Sequence, residues 1–357
     1  MTKRDVIVIG TSAGGVEALL TIVAALPPTL PASIFIVLHQ PPTGTSVLPT
    51  LLSQVGPLPA THAVDGEGIR PGHIYVAPPD LHMLLEDGRV RLARGPRENR
   101  HRPSADPLFR SAARSYRERA VGVVLTGSLD DGAAGLLAIK RIGGIAVVQD
   151  PNDALFPGMP QSALAVTAVD HCLPLAEIGS TLVQIVIASA NREDAPVSGV
   201  TENLEFETRI AQADLQAIED DGRPGTPSQF GCPECGGVLW EIENDKIVRF
   251  RCRVGHAYSA ESLLSSQTEG LEAALWSALR ALEEKASLTK RLAERARGQS
   301  QHAAAKRFSE QMLAADAHAS TIRIVLLNGN QPVPSILIGT EPARYPTNGA
   351  QPTALSE

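Results

Sequence analysis

The first apolar run of the chain ends in a serine held among glycines: Val6-Ile-Val-Ile-Gly10-Thr-Ser12-Ala-Gly14-Gly15, followed by the helical pattern Val16-Glu-Ala-Leu-Leu. Four β-branched residues favour a short buried strand. The glycines allow the tight turn that must follow. A strand, a turn and a helix with serine at the turn form a nucleophile-elbow pattern, here with the spacing Gly10-x-Ser12-x-Gly14. Such a turn exposes the hydroxyl at a sheet edge, beside a helix N-terminus whose N–H groups can stabilise an oxyanion. Two other readings fit the same residues. One is a glycine turn with an incidental serine. The other is a dinucleotide loop, which wants glycine at the place of Ser12 and an acid about 20 residues on. The segment there is Val37-Leu38-His39-Gln40, without an acid.

The rest of the first half alternates strand and helix signals. Apolar runs occur at Ile34–Leu38, His73–Ala77, Val121–Leu125 and Gly144–Val148, with helical patterns at 45–55, Asp106–Arg117 and Ala133–Arg141. Met83-Leu-Leu and Val90-Arg-Leu flank Glu86-Asp-Gly88, a hairpin signal. Runs that are apolar throughout and separated by helices predict an α/β fold with a doubly wound, mostly parallel sheet covered on both faces. The chemistry of such folds sits at the C-terminal strand ends. The 357 residues leave room for more than this domain. The expected division is 1–188 for the α/β domain, 189–229 for a polar linker with a short helix near Glu205–Ile218, and 230–258 for a compact cysteine-bearing segment. A pair of helices over 259–327, breaking near Gly298, and a disordered tail over 328–357 complete it.

Composition excludes several classes. A net charge of −7 argues against general nucleic-acid binding. No apolar stretch reaches the roughly 18 residues of a membrane span, so no membrane insertion is expected. Met1-Thr-Lys-Arg-Asp5 leads straight into a strand, unlike a signal peptide. Three of four cysteines crowd into one segment, unlike a disulfide framework. The expected location is the cytoplasm.

An activated serine needs a base and a group that orients the base. His39 directly follows the second apolar run, and Asp131 closes Leu125-Thr-Gly-Ser-Leu-Asp-Asp131 after the fourth. Ser12, His39 and Asp131 thus stand at the exits of three different strands. His39 would take the Ser12 proton, and Asp131 would fix the imidazole. Taken singly, His39 reads as a capping residue and Asp131 as a turn aspartate.

These residues belong to a longer series: Gly10-Thr-Ser-Ala-Gly-Gly15, Leu38-His39-Gln-Pro, Gly72-His-Ile-Tyr-Val-Ala-Pro-Pro-Asp-Leu-His82-Met, His101-Arg-Pro-Ser-Ala-Asp106, Leu125-Thr-Gly127 with Asp131-Gly132, and Phe156-Pro-Gly-Met-Pro160. In this order, over roughly residues 1–185, they resemble the catalytic domain of the chemotaxis protein-glutamate methylesterase family. The resemblance implies a Ser12, His39, Asp131 triad and no catalytic cofactor. It implies hydrolysis of γ-glutamyl methyl esters on chemoreceptor helices, deamidation of certain receptor glutamines, and partners among those receptors and other chemotaxis proteins. His82 and His101 fall in family motifs and are second candidates for substrate contact. The chain departs from the family at Ala13, usually threonine, and at Gly127-Ser128-Leu129, usually Gly-Met-Gly, whose methionine is associated with the oxyanion site. Members typically begin with a phosphorylatable receiver domain. This sequence begins at the catalytic strand, so activity is expected not to depend on an aspartyl phosphate in cis. The alternative to an esterase is a weakly active docking module.

Two further features stand apart. Arginines 89, 91, 94, 97, 100, 102, 110, 114, 117 and 119 lie in a segment with few acids. They read either as a solvated face or as a basic surface for Glu-rich receptor helices. Cys232-Pro-Glu-Cys235 and Cys252-Arg-Val-Gly-His256 flank a hairpin pattern. Three thiolates and an imidazole make a complete tetrahedral set for a structural zinc in a zinc-ribbon-like segment. The competing reading is reduced, buried cysteines. Cys172, near a strand edge, reads as structural.

Overall fold

The structure, a computed structural model, describes residues 3–44, 46–188, 202–219, 225–244 and 247–328. The chain opens with β1 (Val6–Thr11), α1 (Gly15–Ala24), β2 (Ser33–Leu38), α2 (Leu48–Val55), β3 (Ala60–His62) and β4 (Ile74–Val76). A hairpin of β5 (His82–Glu86) and β6 (Arg89–Ala93) leads to α3 (Ala105–Tyr116), β7 (Ala120–Val124), α4 (Ala133–Arg141) and β8 (Ile145–Gln149). Then come α5 (Gly158–Val166), β9 (His171–Leu173) and α6 (Leu175–Ala188). Seven strands form one sheet in the order β3-β4-β2-β1-β7-β8-β9. Every ladder in it is parallel.

Strand alternation explains why β1 is apolar at every position from Val6 to Ile9. Val6 and Val8 pack with Phe35, Val37, Phe109 of α3 and Leu136 of α4. Ile7 and Ile9 pack on the opposite face with Leu19 of α1, Leu52 of α2 and Leu182 of α6. Successive side chains point to opposite faces, so a central strand between two helical layers must be apolar on both. The connection from β1 runs to β2 on one side, and β7 is added on the other. The strand order therefore reverses beside β1, and the C-terminal ends of β2, β1 and β7 lie next to one another at this switch point. The doubly wound parallel sheet matches the expectation from the sequence. β3 and β9 are too short to show as apolar runs, and β9 carries Cys172 at the sheet edge.

The C-terminal half begins in the segment read as a polar linker with a short helix. The helix foreseen near 205–218 is present as α7 (Glu202–Ala211) and α8 (Leu215–Glu219). It does not lie in an extended linker: Leu204 joins the core cluster of α3, and Ala211 packs with Leu84 and Ala93. The cysteine-bearing segment is a four-stranded antiparallel sheet of β10 (Thr226–Gly231), β11 (Val238–Asn244), β12 (Ile247–Cys252) and β13 (Ala257–Ser259). Its own core is small: Leu239, Phe250, Tyr258 and Leu263 with Cys232 and Cys252. Residues up to Gln267 form one compact unit, so this sheet and the α/β domain are parts of one body.

What joins them is charge. Glu207 of α7 accepts both guanidinium ends of Arg249 at 2.6 and 2.5 Å and meets Arg110 of α3 at 3.3 Å. Glu98 accepts from Arg110 at 2.6 Å and from Arg251 of β12 at 3.1 Å. Glu98, Glu207, Arg110 and Arg251 are all buried. A polar sequence thus becomes interior through pairing.

The second unit starts at Thr268. Its described part comprises most of α9 (Ala260–Gly298) and all of α10 (His302–Asn328), in which Leu279, Ala286, Ala305 and Ala315 are buried and Arg323 pairs with Glu283. The tail foreseen from 328 lies, beyond Asn328, outside the described residues, as do linker residues 189–201 and 220–224. No described helix is long and apolar enough to cross a membrane.

Candidate active site

Ser12 follows β1 immediately, and α1 starts three residues later. The turn between them needs Gly14, whose φ of 73° at the helix N-cap is a left-handed conformation. The Ser12 N–H donates to Thr126 O at 3.1 Å, which ties the elbow to the loop after β7. Thr126 Oγ1 reinforces the tie, donating to Ala13 O at 3.0 Å and accepting from Phe156 N at 2.9 Å. Gly127 leaves room beside the serine: a Cβ there would stand 2.1 Å from Met159 Sδ and 3.0 Å from Ser12 Cβ. A methionine therefore packs at the elbow, supplied by α5 rather than by position 128. Leu129, at the place of the motif's second glycine, sits in the left-handed region with φ 62°.

His39 directly follows β2, and its N–H donates to Thr11 O at 3.2 Å. Its Nε2 lies 2.7 Å from Asp131 Oδ2, and the two side chains are 6% and 2% exposed. Asp131 follows β7 and caps α3. Oδ2 also accepts from Ala105 N at 2.6 Å. Oδ1 accepts from Ser104 Oγ at 2.7 Å, Asn99 Nδ2 at 3.0 Å and Asp106 N at 3.2 Å. Burial alone would push this carboxyl up. The hydrogen bond and charge of His39, with the bonds from Ala105 and Ser104, outweigh burial and hold it well below the usual carboxylate range. The helix N-terminus adds to this preference for an anion. An ionised Asp131 accepts from His39 Nε2–H, which leaves Nδ1 as the nitrogen able to receive a proton.

Two neighbouring aspartates repeat the device. Asp106 accepts from Gly135 N of α4 at 2.6 Å, and burial with the Asp131 charge pushes it up to about 7. Asp130 accepts from Ser259 Oγ at 2.6 Å and Ser262 Oγ at 3.1 Å at the start of α9, and burial pushes it up to about 6.

Ser12 and His39 share an open cleft of about 400 Å³ with Gln40, Pro41, Pro42, Arg97, Arg100, His101 and Arg102. His101 stacks on His39 with ring centroids 3.7 Å apart and planes 5° from parallel. Burial and the neighbouring His39 lower His101 to about 4, so it is neutral at pH 7. Its Nδ1–H donates to Asn99 O at 2.6 Å. His101 thus lines the cleft beside Ser12 and His39. His82 does not: it is fully buried, bonded through Nε2 to Pro96 O at 2.9 Å, and outside the cleft. The basic segment divides in the same way. Arg110 is buried, and Arg91, Arg94, Arg114 and Arg119 pair with Asp65, Asp80, Glu205 and Asp5. Three arginines, 97, 100 and 102, line the cleft, Arg102 with its guanidinium paired to Asp80 at 2.6 Å.

Asn99, Ser104, Thr126 and Met159 escaped the reading of the sequence. Asn99 and Ser104 reach Asp131 across 32 and 27 residues, and Thr126 reaches Ala13 across 113; Ser104, Thr126 and Met159 lie in the motifs quoted above, but nothing local marks these contacts.

The ligand atoms of Cys232, Cys235, Cys252 and His256 lie within 4.8 Å of one another, and this set could hold a metal ion. His256 Nδ1 faces Cys232 Sγ at 3.7 Å and Cys252 Sγ at 3.5 Å. Its Nε2 meets Glu234 at 3.2 Å, the kind of carboxylate contact that orients metal-bound imidazoles. Burial and the neighbouring Cys232 and Cys235 push Cys252 up to about 12. Sulfurs this close share negative charge only around a cation.

The CheB methylesterase family profile matches residues 7–182. A Yersinia pestis protein-glutamate methylesterase/protein-glutamine glutaminase is 40% identical over 186 residues, 51% of this chain and 53% of that protein. A Burkholderia lata protein of the same name, numbered 3, is 41% identical over 182 residues, half of each chain. The chain spans about half the length of these curated relatives. The crystal structure of the Thermotoga maritima CheB methylesterase catalytic domain aligns at 34% identity over 51% of this chain and 98% of that one, with a TM-score of 0.49.

Proposed function

Through residues 7–182 the chain belongs to the CheB methylesterase family, and on that premise we propose that it is a serine hydrolase acting on γ-glutamyl methyl esters of chemoreceptor helices. The observation that carries this reading is the 2.7 Å contact of His39 Nε2 with Asp131, at a cleft that also holds Ser12. Ser12 Oγ attacks the ester carbonyl carbon as His39 Nδ1 takes its proton. Asp131 stays ionised and stabilises the imidazolium that forms. The negative charge on the carbonyl oxygen develops beside the start of α1, where backbone N–H groups favour an anion. His39 then gives its proton to the departing methoxide, and methanol leaves. Water, activated in turn by His39, cleaves the acyl-serine to free glutamate. A receptor glutamine follows the same course with ammonia leaving. No cofactor takes part.

Arg97, Arg100 and Arg102 favour an acidic peptide at the cleft. This charge supports a substrate on Glu-rich receptor helices facing the cytoplasm. Cys232, Cys235, Cys252 and His256 are read as ligands of one structural zinc, closed by four protein donors and without a place for a reacting water. The deciding experiment measures methanol released from methylated receptor by the wild type and by Ser12→Ala. Release by the wild type alone is expected. Equal release by both overturns the serine mechanism, and none from either overturns the substrate.

A further inference from the structure

We infer that Asn99 is a positioning residue for Asp131, and that its placement is set by the cysteine–histidine clip of the small sheet. The inference rests on the hydrolase reading above.

Asn99 is buried and holds a φ of 49°, a left-handed conformation that asparagine tolerates better than most residues. Its side-chain amide is fully used. Nδ2 donates to Asp131 Oδ1 at 3.0 Å and to Asp106 Oδ2 at 2.9 Å. Oδ1 accepts from Ser259 N at 3.1 Å. Asn99 N donates to Ala257 O at 2.8 Å, and Ala257 N donates to Arg97 O at 3.1 Å. The amide has two unlike ends, and both aspartates need the nitrogen end. The Ser259 N–H selects the orientation that satisfies them. Without it the amide can turn its oxygen toward two carboxyl groups.

The Ser259 N–H and the Ala257 carbonyl belong to β13, which begins one residue after His256. The turn before it is tied to the clip: Cys252 N donates to His256 O at 3.0 Å, Gly255 N to Cys252 O at 3.0 Å, and Arg251 to Gly255 O at 2.8 Å. A cation that gathers Cys252 and His256 therefore fixes the start of β13. Through Ala257 and Ser259 it fixes Asn99, and through Asn99 the orienting carboxylate of His39. His101, two residues on, bonds Asn99 O and stacks on His39, so the same segment also fixes a cleft wall. Ångström displacements of an orienting group cost orders of magnitude in rate. Metal occupancy at the clip and hydrolysis at Ser12 are thereby coupled.

The test uses the full chain loaded with zinc, with zinc content measured. A chelator removes the metal, and hydrogen exchange and turnover of a small soluble methyl ester are followed together. The expected result is a kcat lower by about tenfold to a hundredfold, the scale of one lost bond to a charged group, with a smaller change in KM and recovery on re-adding zinc. Amide protection at Asn99 and Ala257 falls, while β1 and β7 stay protected. In Asn99→Asp the φ and the Oδ1 acceptor survive but the Nδ2 donors do not. Its zinc-loaded kcat should fall on the same scale, and zinc removal should then add little, because both act through one contact. Unchanged turnover after verified zinc loss overturns the proposal, as does a chain that binds no zinc. Loss of protection in β1 and β7 overturns it too, since the clip would then hold the whole fold. If Asn99→Asp fails to fold, the wild-type zinc arm still decides. Hydrolysis that survives Ser12→Ala removes the hydrolase reading instead, while the protection at Asn99 still reports the clip.

Discussion

Asp131→Asn separates orientation of the base from simple filling of space. Five donors converge on the wild-type carboxylate: His39 and Ala105 on Oδ2, and Ser104, Asn99 and Asp106 on Oδ1. The amide offers one oxygen. With its nitrogen at the Oδ2 place, it faces two N–H donors and forces His39 into the other tautomer, with the proton on Nδ1. That nitrogen is then unable to receive the serine proton. With its nitrogen at the Oδ1 place, it faces Asn99 Nδ2 and Asp106 N, while the Ser104 hydroxyl can turn to accept. The first arrangement leaves the Ala105 N–H without its acceptor and the second leaves two buried donors so, at roughly 1–3 kcal/mol each. Relief of the repulsion with Asp106 offsets part of this. The expected net loss is therefore a few kcal/mol, within what a folded domain can bear. The rate loss is larger. In serine triads the same exchange costs about 10⁴-fold in kcat, near 5 kcal/mol of barrier. Ester turnover and urea unfolding on the same preparation test both numbers. A folded variant within tenfold of wild-type turnover refutes the role given to Asp131. The pH dependence has a fixed sign. A carboxyl held low in the folded state contributes stability that is full above its unfolded value near 4 and fades as pH falls through the folded one. The stability gap between wild type and variant should close on acidification.

Other expectations are as direct. Ser12→Ala and His39→Ala should each abolish most ester turnover, and the double variant should be little worse than either, since triad members act as a unit; effects that multiply would refute a shared step. Asp130, pushed up to about 6 by burial, binds its proton more tightly folded than unfolded, so its contribution falls as pH rises from about 4 to 6. Asp130→Asn should therefore gain up to about 2 kcal/mol at pH 7.5 relative to pH 4.5 in urea titrations, and equal differences at both pH values would refute this. Glu207→Ala leaves Arg249, Arg110 and Arg251 facing no carboxylate at that place and should cost roughly 3–5 kcal/mol in urea unfolding; a loss below about 1 kcal/mol would show that the arginines find other partners.

Where the sequence was legible, local pattern and tertiary role coincided. The β1–α1 elbow could be read because apolar strand, glycine turn and helix are each written in adjacent residues. The exits of β2 and β7 were legible for the same reason, and the switch-point rule then brings Ser12, His39 and Asp131 to one edge. His82 shows the limit. It lies in one of the motifs that carry the resemblance, yet it heads β5, and β5 turns it into the core against Pro96. Strand direction, invisible in composition, decided the matter. Asn99 was illegible because its partners lie 7, 32 and 160 residues away. Nothing in Arg97-Glu-Asn-Arg100 marks a buried amide.

The burial of charges around the segment read as a linker has the same origin and a further consequence. Glu98, Arg110, Glu207, Arg249 and Arg251 look like solvent-facing charges one by one, and four of the five are buried. Pairing makes that burial tolerable but seldom gains stability over an apolar interface. Misalignment is different: moving β12 past α3 by one residue would leave several of these charges buried and unpaired, at several kcal/mol each. An apolar seam of Leu and Val would slide at far less cost. The charged seam therefore selects one seating of the small sheet on the α/β domain. That seating is what aligns Ala257 and Ser259 with Asn99, where tenths of an ångström separate a made hydrogen bond from a lost one. The buried charges act on the site through registry, and the cysteine–histidine clip holds the strand end that the registry delivers.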